Sequence, residues 1–249
     1  MYTIPSAVQL AIKLAAAQIQ QIKKQNPVIA LDGYSSSGKS TLAKDLATLL
    51  EITHIDTGAM YRATALYLLQ TGISPDDEPT VTSSLDDIDI ELCLEKGQRC
   101  TKLNDIDVSE EIRSMKVSNI VSEVSTISSV RRYLVKQQRK IAASQSVVMD
   151  GRDIGTVVLP DADVKIFVTA SIEERSKRRH LELSNKGVDI SLEEVSTNLE
   201  KRDRIDSGRK DSPLLQADDA VLLDTTTYDR PGMLVEAIKI ISNKLNAHL

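Results

Sequence analysis

Gly33-Tyr34-Ser35-Ser36-Ser37-Gly38-Lys39-Ser40 sets two glycines, a lysine and a hydroxyl at the spacing GxxxxGK[ST], and Thr41 follows. Each residue type has a task at that spacing. Glycines let a backbone wrap closely around phosphates, and a helix starting near Lys39 turns unpaired N–H groups toward negative charge. Lys39 then reaches the β- and γ-phosphates of a nucleoside triphosphate, and Ser40 or Thr41 supplies a hydroxyl to Mg2+. Asp150 ends the apolar run Val147-Val148-Met149, a place from which a carboxylate reaches a metal's water shell. An Asp at a strand end is also ordinary turn chemistry, so the phosphate loop carries most of the weight.

A guanine-reading switch needs Asn-Lys-x-Asp at a strand end. The nearest run, Asn185-Lys186-Gly187-Val188-Asp189, is one residue too long and lies in a polar connection. A motor ATPase needs a larger chain and an arginine from a neighbouring subunit. A small-molecule kinase needs a second anion site facing the phosphate loop and a cover that excludes water. Basic residues gather accordingly, at Arg131, Arg132, Lys136 and Arg139, at Arg175 to Arg179, and from Lys201 to Lys210. Guanidinium forks pair with phosphate oxygens, whereas Arg132, Lys136 and Lys177 read as solvated helix faces. The stretch Arg202 to Lys210, with Ser207-Gly208 inside it, reads as a hinged lid. A kinase of another acceptor, AMP or a hydroxyl-bearing metabolite, and a nucleotide-binding regulatory module are the rival readings.

Two further motifs carry a resemblance. Thr57-Gly58-Ala59-Met60-Tyr61-Arg62 and Asp150-Gly151-Arg152-Asp153-Ile154-Gly155-Thr156-Val157-Val158, continued by Lys165 to Ser171 and Arg175 to Arg179, resemble the bacterial cytidylate kinase family from about Val28 onward. The resemblance implies an α/β nucleoside monophosphate kinase fold, with a central parallel sheet flanked by helices, an inserted antiparallel monophosphate-binding subdomain and a helical lid. It implies transfer of the γ-phosphoryl group of ATP, with Mg2+, to CMP or dCMP. Gly33 to Thr41, with Arg178, match the ATP side. Arg62, Arg152 and Arg202 match arginines that grip the CMP phosphate or the transferring group, so Lys39, Arg152 and Arg202 are the catalytic candidates. Thr57, Ser122, Arg131 and Asp153 match positions lining the acceptor nucleoside, and Tyr61 lies in the same motif. Asp206 matches a sugar-contacting carboxylate and Arg209 a lid arginine. Thr57 stands where many members carry serine. Mg2+ falls to Ser40 and, through water, Asp150. His54, His180 and His248 are read as incidental, because a phosphate acceptor is already anionic at neutral pH and needs no base.

The elements that must position these residues follow from pattern. Val28 to Leu31, Ile52 to Ile55, Val147 to Met149, Val164 to Val168 and Ala220 to Leu223 read as buried strands alternating with helices, which implies a parallel sheet. Between Ile73 and Ser109 the pattern changes: Pro75 and Pro79 punctuate a loop, and Ile88 to Leu94 with Gln98 to Leu103 reads as a hairpin, followed by a short strand from Ile106. A Lys96-Gly97 turn sets Cys93 opposite Cys100, read as two small hydrophobes. Ser6 to Lys24 reads as an amphipathic helix with Val8, Ile12, Ala15, Ile19 and Ile22 on one stripe. The expected organisation is an N-terminal extension over 1–26 and a kinase domain over 27–249, with the inserted subdomain at about 72–125 and the lid at about 172–212.

Composition sets the outer bounds. The chain has 249 residues, and 31 basic against 36 acidic side chains leave a net charge of −5, which argues against a general nucleic-acid or membrane-surface binder. Two cysteines cannot staple a chain of this length. No apolar run approaches the roughly 18 residues of a membrane span, and the start lacks a signal-peptide pattern. The expectation is a cytoplasmic monomer acting on small molecules, with self-association through the N-terminal helix as the alternative.

Overall fold

The computed structural model describes residues 27–95 and 98–246. The expected helix over Ser6 to Lys24 and the Lys96-Gly97 turn lie outside them. The strands are β1 (Val28–Gly33), β2 (Thr53–Asp56), β3 (Ile90–Glu95), β4 (Gln98–Leu103), β5 (Ile106–Asp107), β6 (Val147–Asp150), β7 (Val164–Thr169) and β8 (Val221–Asp224). The helices are α1 (Lys39–Leu50), α2 (Thr57–Thr71), α3 (Glu78–Ser84), α4 (Met115–Val124), α5 (Ser128–Ala142), α6 (Ile172–Asn185), α7 (Leu192–Gly208) and α8 (Arg230–Asn246).

The larger sheet runs β2-β6-β1-β7-β8, with every pair parallel. Its central strands are continuously apolar because helices cover both faces. Ile29, Leu31, Val148, Ile166 and Val168 pack beneath Leu42 and Leu46 of α1 and Ile238 and Ile241 of α8. Ala30, Ile55 and Met149 point the other way, onto Ala142 of α5 and onto Ile154 and Val158. Truncating one of these enclosed Leu or Ile side chains to Ala costs about 2–5 kcal/mol. The chain leaves β1 toward β2 but later crosses from β6 to β7 on the opposite flank. A crevice therefore opens at the carboxyl end of β1, where open parallel sheets take their ligands.

The smaller sheet, β3-β4-β5, is antiparallel. With α2, α3, α4 and α5 it encloses a second core around Met60, Leu68, Val81, Leu103, Val117 and Leu134. Cys93 and Cys100 are register partners with Cα atoms 5.0 Å apart, and their sulfurs are joined in a disulfide. The expectation of two separate thiols is thereby corrected: a directly opposed cross-strand pair brings sulfurs within bonding reach.

One local expectation also changes. Pro75 and Pro79 do not make a plain loop, since α3 begins at Glu78 and holds Pro79 in its first turn. Proline is tolerated there because that N–H has no intrahelical acceptor, and Asp77 caps the end by accepting from Thr80 N at 3.2 Å. Ser207 and Gly208, inside the stretch read as a hinged lid, stand in the last turn of α7. That helix starts at a Ser191–Glu194 capping box, and Val195 and Leu199 anchor it against Leu183 of α6. Among the described residues no helix is long and apolar enough to cross a membrane.

Candidate active site

The phosphate loop joins β1 to α1, and its shape depends on its glycines. A Cβ on Gly33, at φ +142°, would stand 1.9 Å from the Val168 carbonyl oxygen of the neighbouring strand. Gly38, at φ +90°, caps α1 with no side-chain hydrogen bond. The first N–H groups of the helix are thus left for a ligand, and negative charge is favoured there. Lys39 is buried, and its Nζ donates to the Tyr34 carbonyl at 3.1 Å. Burial pulls its ammonium down to about 7 and the Arg152 guanidinium pushes the same way, against Asp150 and Asp206. A cation so destabilised by its surroundings is matched to an anion.

At the mouth of the loop, Ser40 Oγ donates to Asp150 Oδ2 at 2.5 Å. Burial raises the Asp150 carboxyl, but His54, Lys39 and Ser40 together hold it well below the usual range. It is ionised at neutral pH. Two hard oxygen donors side by side at a helix N-terminus suit a small divalent cation such as Mg2+.

Arginines crowd the facing wall. Arg152 bridges both sides of the crevice, with Nη2 donating to Ser35 Oγ at 2.6 Å and Nε to Asp206 Oδ2 at 2.7 Å. Burial and the like charge of Arg152 lower the Arg202 guanidinium to about 10. Nε of Arg62, Nε of Arg202 and Nη2 of Arg209 are buried with no partner. Buried N–H groups without acceptors are costly, and an oxyanion among them would relieve several at once. Further in, Arg131 donates through Nη2 to Asp153 Oδ2 and through Nη1 to the Ser125 carbonyl at 3.1 Å. Its guanidinium lies 5.6 Å from the centre of the Tyr61 ring. Thr57 Oγ1 donates to the Asp150 carbonyl at 2.7 Å, tying the start of α2 to the end of β6.

These groups share one cleft of about 370 Å³. Ser35 to Thr41, Thr57, Tyr61, Arg62, Ser122, Arg131, Asp150, Arg152, Asp153, Arg202, Asp206 and Arg209 all line it. Three residues named from the sequence stand outside that lining. Gly33 lies beneath the loop, and the Tyr34 ring turns away to meet Phe167 edge-on at 6.0 Å. Arg178 is held at the outer end by Glu174 and by the Thr225 carbonyl and hydroxyl, at 2.9, 2.7 and 3.0 Å. Arg132, Lys136 and Lys177 are exposed, as their solvated-face reading requires.

The family model for cytidylate kinase matches residues 29–243. The chain belongs to the cytidylate kinase family. A cytidylate kinase from Parabacteroides distasonis is 54% identical over 204 residues, covering 80% of this chain and 89% of that one. One from Caldanaerobacter subterraneus is 55% identical over 80% of this chain and 87% of its own, and one from Carboxydothermus hydrogenoformans 48% over 87% and 97%.

Within this cytidylate kinase family member, the structure adds two residues that the sequence reading did not name, Asp32 and Thr225, and gives contacts to two that it named without a role at the site, Arg175 and His54. Asp32 accepts from the backbone N–H groups of Ile154 and Gly155, both at 2.7 Å, and so holds the loop that carries Arg152 and Asp153. Burial lifts its carboxyl to about 6 against those two donors. Arg175 donates to the carbonyls of Ala170 and Ser35, pairs with Asp203 at 2.7 Å and lies 5.1 Å over the Tyr34 ring. Thr225, fully buried, donates to the Ser37 carbonyl at 2.8 Å. His54 Nε2 lies 2.6 Å from Asp150 Oδ1. Asp32 had a signal in the sequence, a charged residue at the end of a buried strand beside its glycine turn, and Arg175 stood in a basic cluster. The pairings of Thr225 and His54 are long-range and no local pattern encodes them.

Proposed function

We propose that this chain transfers the γ-phosphoryl group of ATP directly to the phosphate of CMP or dCMP, giving ADP and CDP or dCDP. The observation that carries the reading is Arg152, one guanidinium fixed at once to the phosphate loop through Ser35 and to the facing wall through Asp206. A donor in the loop and an acceptor among Arg62, Arg152 and Arg202 would meet end to end at that group. The acceptor is a phosphate monoester with a second pKa of about 6, so its attacking oxygen is anionic at pH 7 and no general base is required. Catalysis is then alignment and charge neutralisation: Lys39 and the loop amides hold the donor, while Arg152 and Arg202 stabilise charge on the group in flight. Arg178 belongs to the donor end.

Base selection falls to the inner wall. Cytosine presents an N4 amino donor beside the N3 and O2 acceptors. Asp153 would accept from N4, and Arg131 or Ser122 would donate to the acceptors. Uracil would put its O4 against a carboxylate and be rejected. Asp206 and Arg209 would hold the sugar and the cover, and Thr57 and Tyr61 would line the acceptor. Ser40 and, through water, Asp150 would hold Mg2+, which when bound with ATP neutralises charge on the phosphates. The insert at about 72–125 carries the acceptor wall and the segment at about 172–212 acts as the lid, in a cytoplasmic monomer.

A panel of acceptors with ATP and Mg2+ tests the proposal. CMP and dCMP should stimulate ADP formation far above UMP, AMP and hydroxyl acceptors. Equal stimulation by AMP, or none by CMP, would overturn it.

A further inference from the structure

His54 lies on β2, one of the two edge strands of the parallel sheet, and its side chain is fully buried. β2 pairs in parallel with β6 so that His54 stands opposite Val148 and Asp56 opposite Asp150. With a side-chain period of two, His54 and Asp150 project from the same face as diagonal neighbours. The result is a chain of short contacts: His54 Nε2 to Asp150 Oδ1 at 2.6 Å, and Asp150 Oδ2 to Ser40 Oγ at 2.5 Å. The Asp150 backbone is pinned separately by Thr57 Oγ1. An ionised carboxylate accepts only, so the hydrogen between them sits on His54 Nε2. Nδ1 has no partner. The imidazole therefore makes a single polar contact, and that contact is the carboxylate at the mouth of the phosphate loop.

An imidazole kept only to fill space would be better replaced by Leu or Phe, because burying a polar ring costs free energy unless its hydrogen bonds do something. We infer that His54 is a positioning residue for phosphoryl transfer. It fixes Asp150 in the rotamer that aims Oδ2 at Ser40, and so holds the two oxygen groups where the metal of a metal–nucleotide complex would be received. The inference rests on the phosphoryl-transfer reading of this cleft. Without His54, Oδ1 of a buried carboxylate loses its donor, and the group is free to turn toward the cations around it.

Three measurements test it. In the metal-free protein, long-range proton–nitrogen spectra should show a proton on His54 Nε2, with an imidazole N–H signal that disappears in Asp150→Ala. Binding of Mn2+ with ADP, followed by electron paramagnetic resonance, should weaken about tenfold in His54→Leu, the scale seen when an outer hydrogen bond to a metal-facing carboxylate is lost. Metal-free ATP affinity and the KM for CMP should stay within about twofold of wild type. His54→Gln, which keeps an N–H donor, should recover most of the Mn2+ affinity. An Nδ1–H tautomer overturns the inference, as does unchanged Mn2+ binding in His54→Leu. Equal losses in ATP, CMP and metal binding that Gln does not repair would reduce His54 to packing. Failure of the wild-type acceptor panel would instead remove the phosphoryl-transfer reading, while the tautomer measurement would still report on the hydrogen bond itself.

Discussion

The state of Lys39 leads to a measurable proton balance. In the empty site its ammonium is held to about 7, against 10.5 for a free lysine, first by burial and then by Arg152. At about 1.36 kcal/mol per unit, charging Lys39 in the empty cleft costs roughly 5 kcal/mol. Phosphates seated against it reverse the balance, because several negative charges within hydrogen-bond reach restore the ammonium to its ordinary range. The sign follows. Free Lys39 is largely neutral above pH 7 and bound Lys39 is charged, so ATP binding must take up a proton there. Uptake attributable to Lys39 is therefore small well below pH 7 and rises toward one proton well above it. Above pH 8 the affinity should fall close to tenfold per pH unit until the bound-state value is reached.

Titration calorimetry of ATP at pH 8, with a chelator present and in two buffers of different ionisation enthalpy, reads that uptake directly. Lys39→Arg is the control, since a guanidinium remains charged throughout this range. It should bind ATP with no proton uptake and a flat pH profile. Zero uptake by the wild-type protein at pH 8, or the same uptake in Lys39→Arg, would refute the argument and with it the placement of Lys39 against the donor phosphates.

Lys39→Ala should abolish turnover with the thermal transition retained; turnover near wild type would remove the phosphate loop from the chemistry. Asp153→Ala should raise KM for CMP far more than KM for ATP, and it should cost about 3–5 kcal/mol of stability, because it leaves the buried Arg131 without its carboxylate. Equal effects on both substrates would contradict a base-reading role. Asp32 has a folded-state value of about 6, raised from 3.8 mainly by burial. Its contribution to stability is therefore full below pH 3.8 and lost as pH rises through 6, a decline of about 3 kcal/mol. Urea denaturation across pH 4 to 7 should show that decline in wild type and not in Asp32→Asn; parallel curves would contradict it. Arg175→Lys should loosen the contact between the phosphate loop and α7, since the single nitrogen of an ammonium cannot stand at both the Nε position that meets Ala170 and the Nη1 position that meets Ser35 and Asp203. Faster hydrogen exchange at Tyr34 to Ser36 is the expected readout, and unchanged exchange would count against that tie.

The parts of the site that could be read in the sequence are those whose chemistry is local. Gly33 and Gly38 are required by backbone conformation, Lys39 and Ser40 by their distance from a helix start, and the run Val28 to Leu31 by burial on both faces. Each constraint acts within a few residues and leaves a periodic or compositional trace. Asp150 was legible as a carboxylate ending a strand, but its partners were not. Ser40 is 110 residues away and His54 96. The same holds for Arg152 with Ser35, 117 residues apart, and for Thr225 with Ser37, 188 apart. Such pairs exist only because the order β2-β6-β1-β7-β8 brings the carboxyl ends of distant strands to one edge.

The end of α7 has the same origin. Ser207 and Gly208 are poor helix formers. Val195 and Leu199, packed on α6, and the Arg152–Asp206 pair, reaching across the cleft, give tertiary contacts along α7 that propensity does not include. That last pair shows how position and chemistry combine. Asp206 is buried, yet Arg152 and Arg209 overcome the cost of burial and keep it charged. The carboxylate in turn fixes Nε of Arg152, so that Nη2 reaches Ser35 in the phosphate loop. Asp206→Asn should therefore loosen Arg152 and weaken binding at both ends of the cleft, a double loss that direct titration of each nucleotide separates from a loss at one end alone.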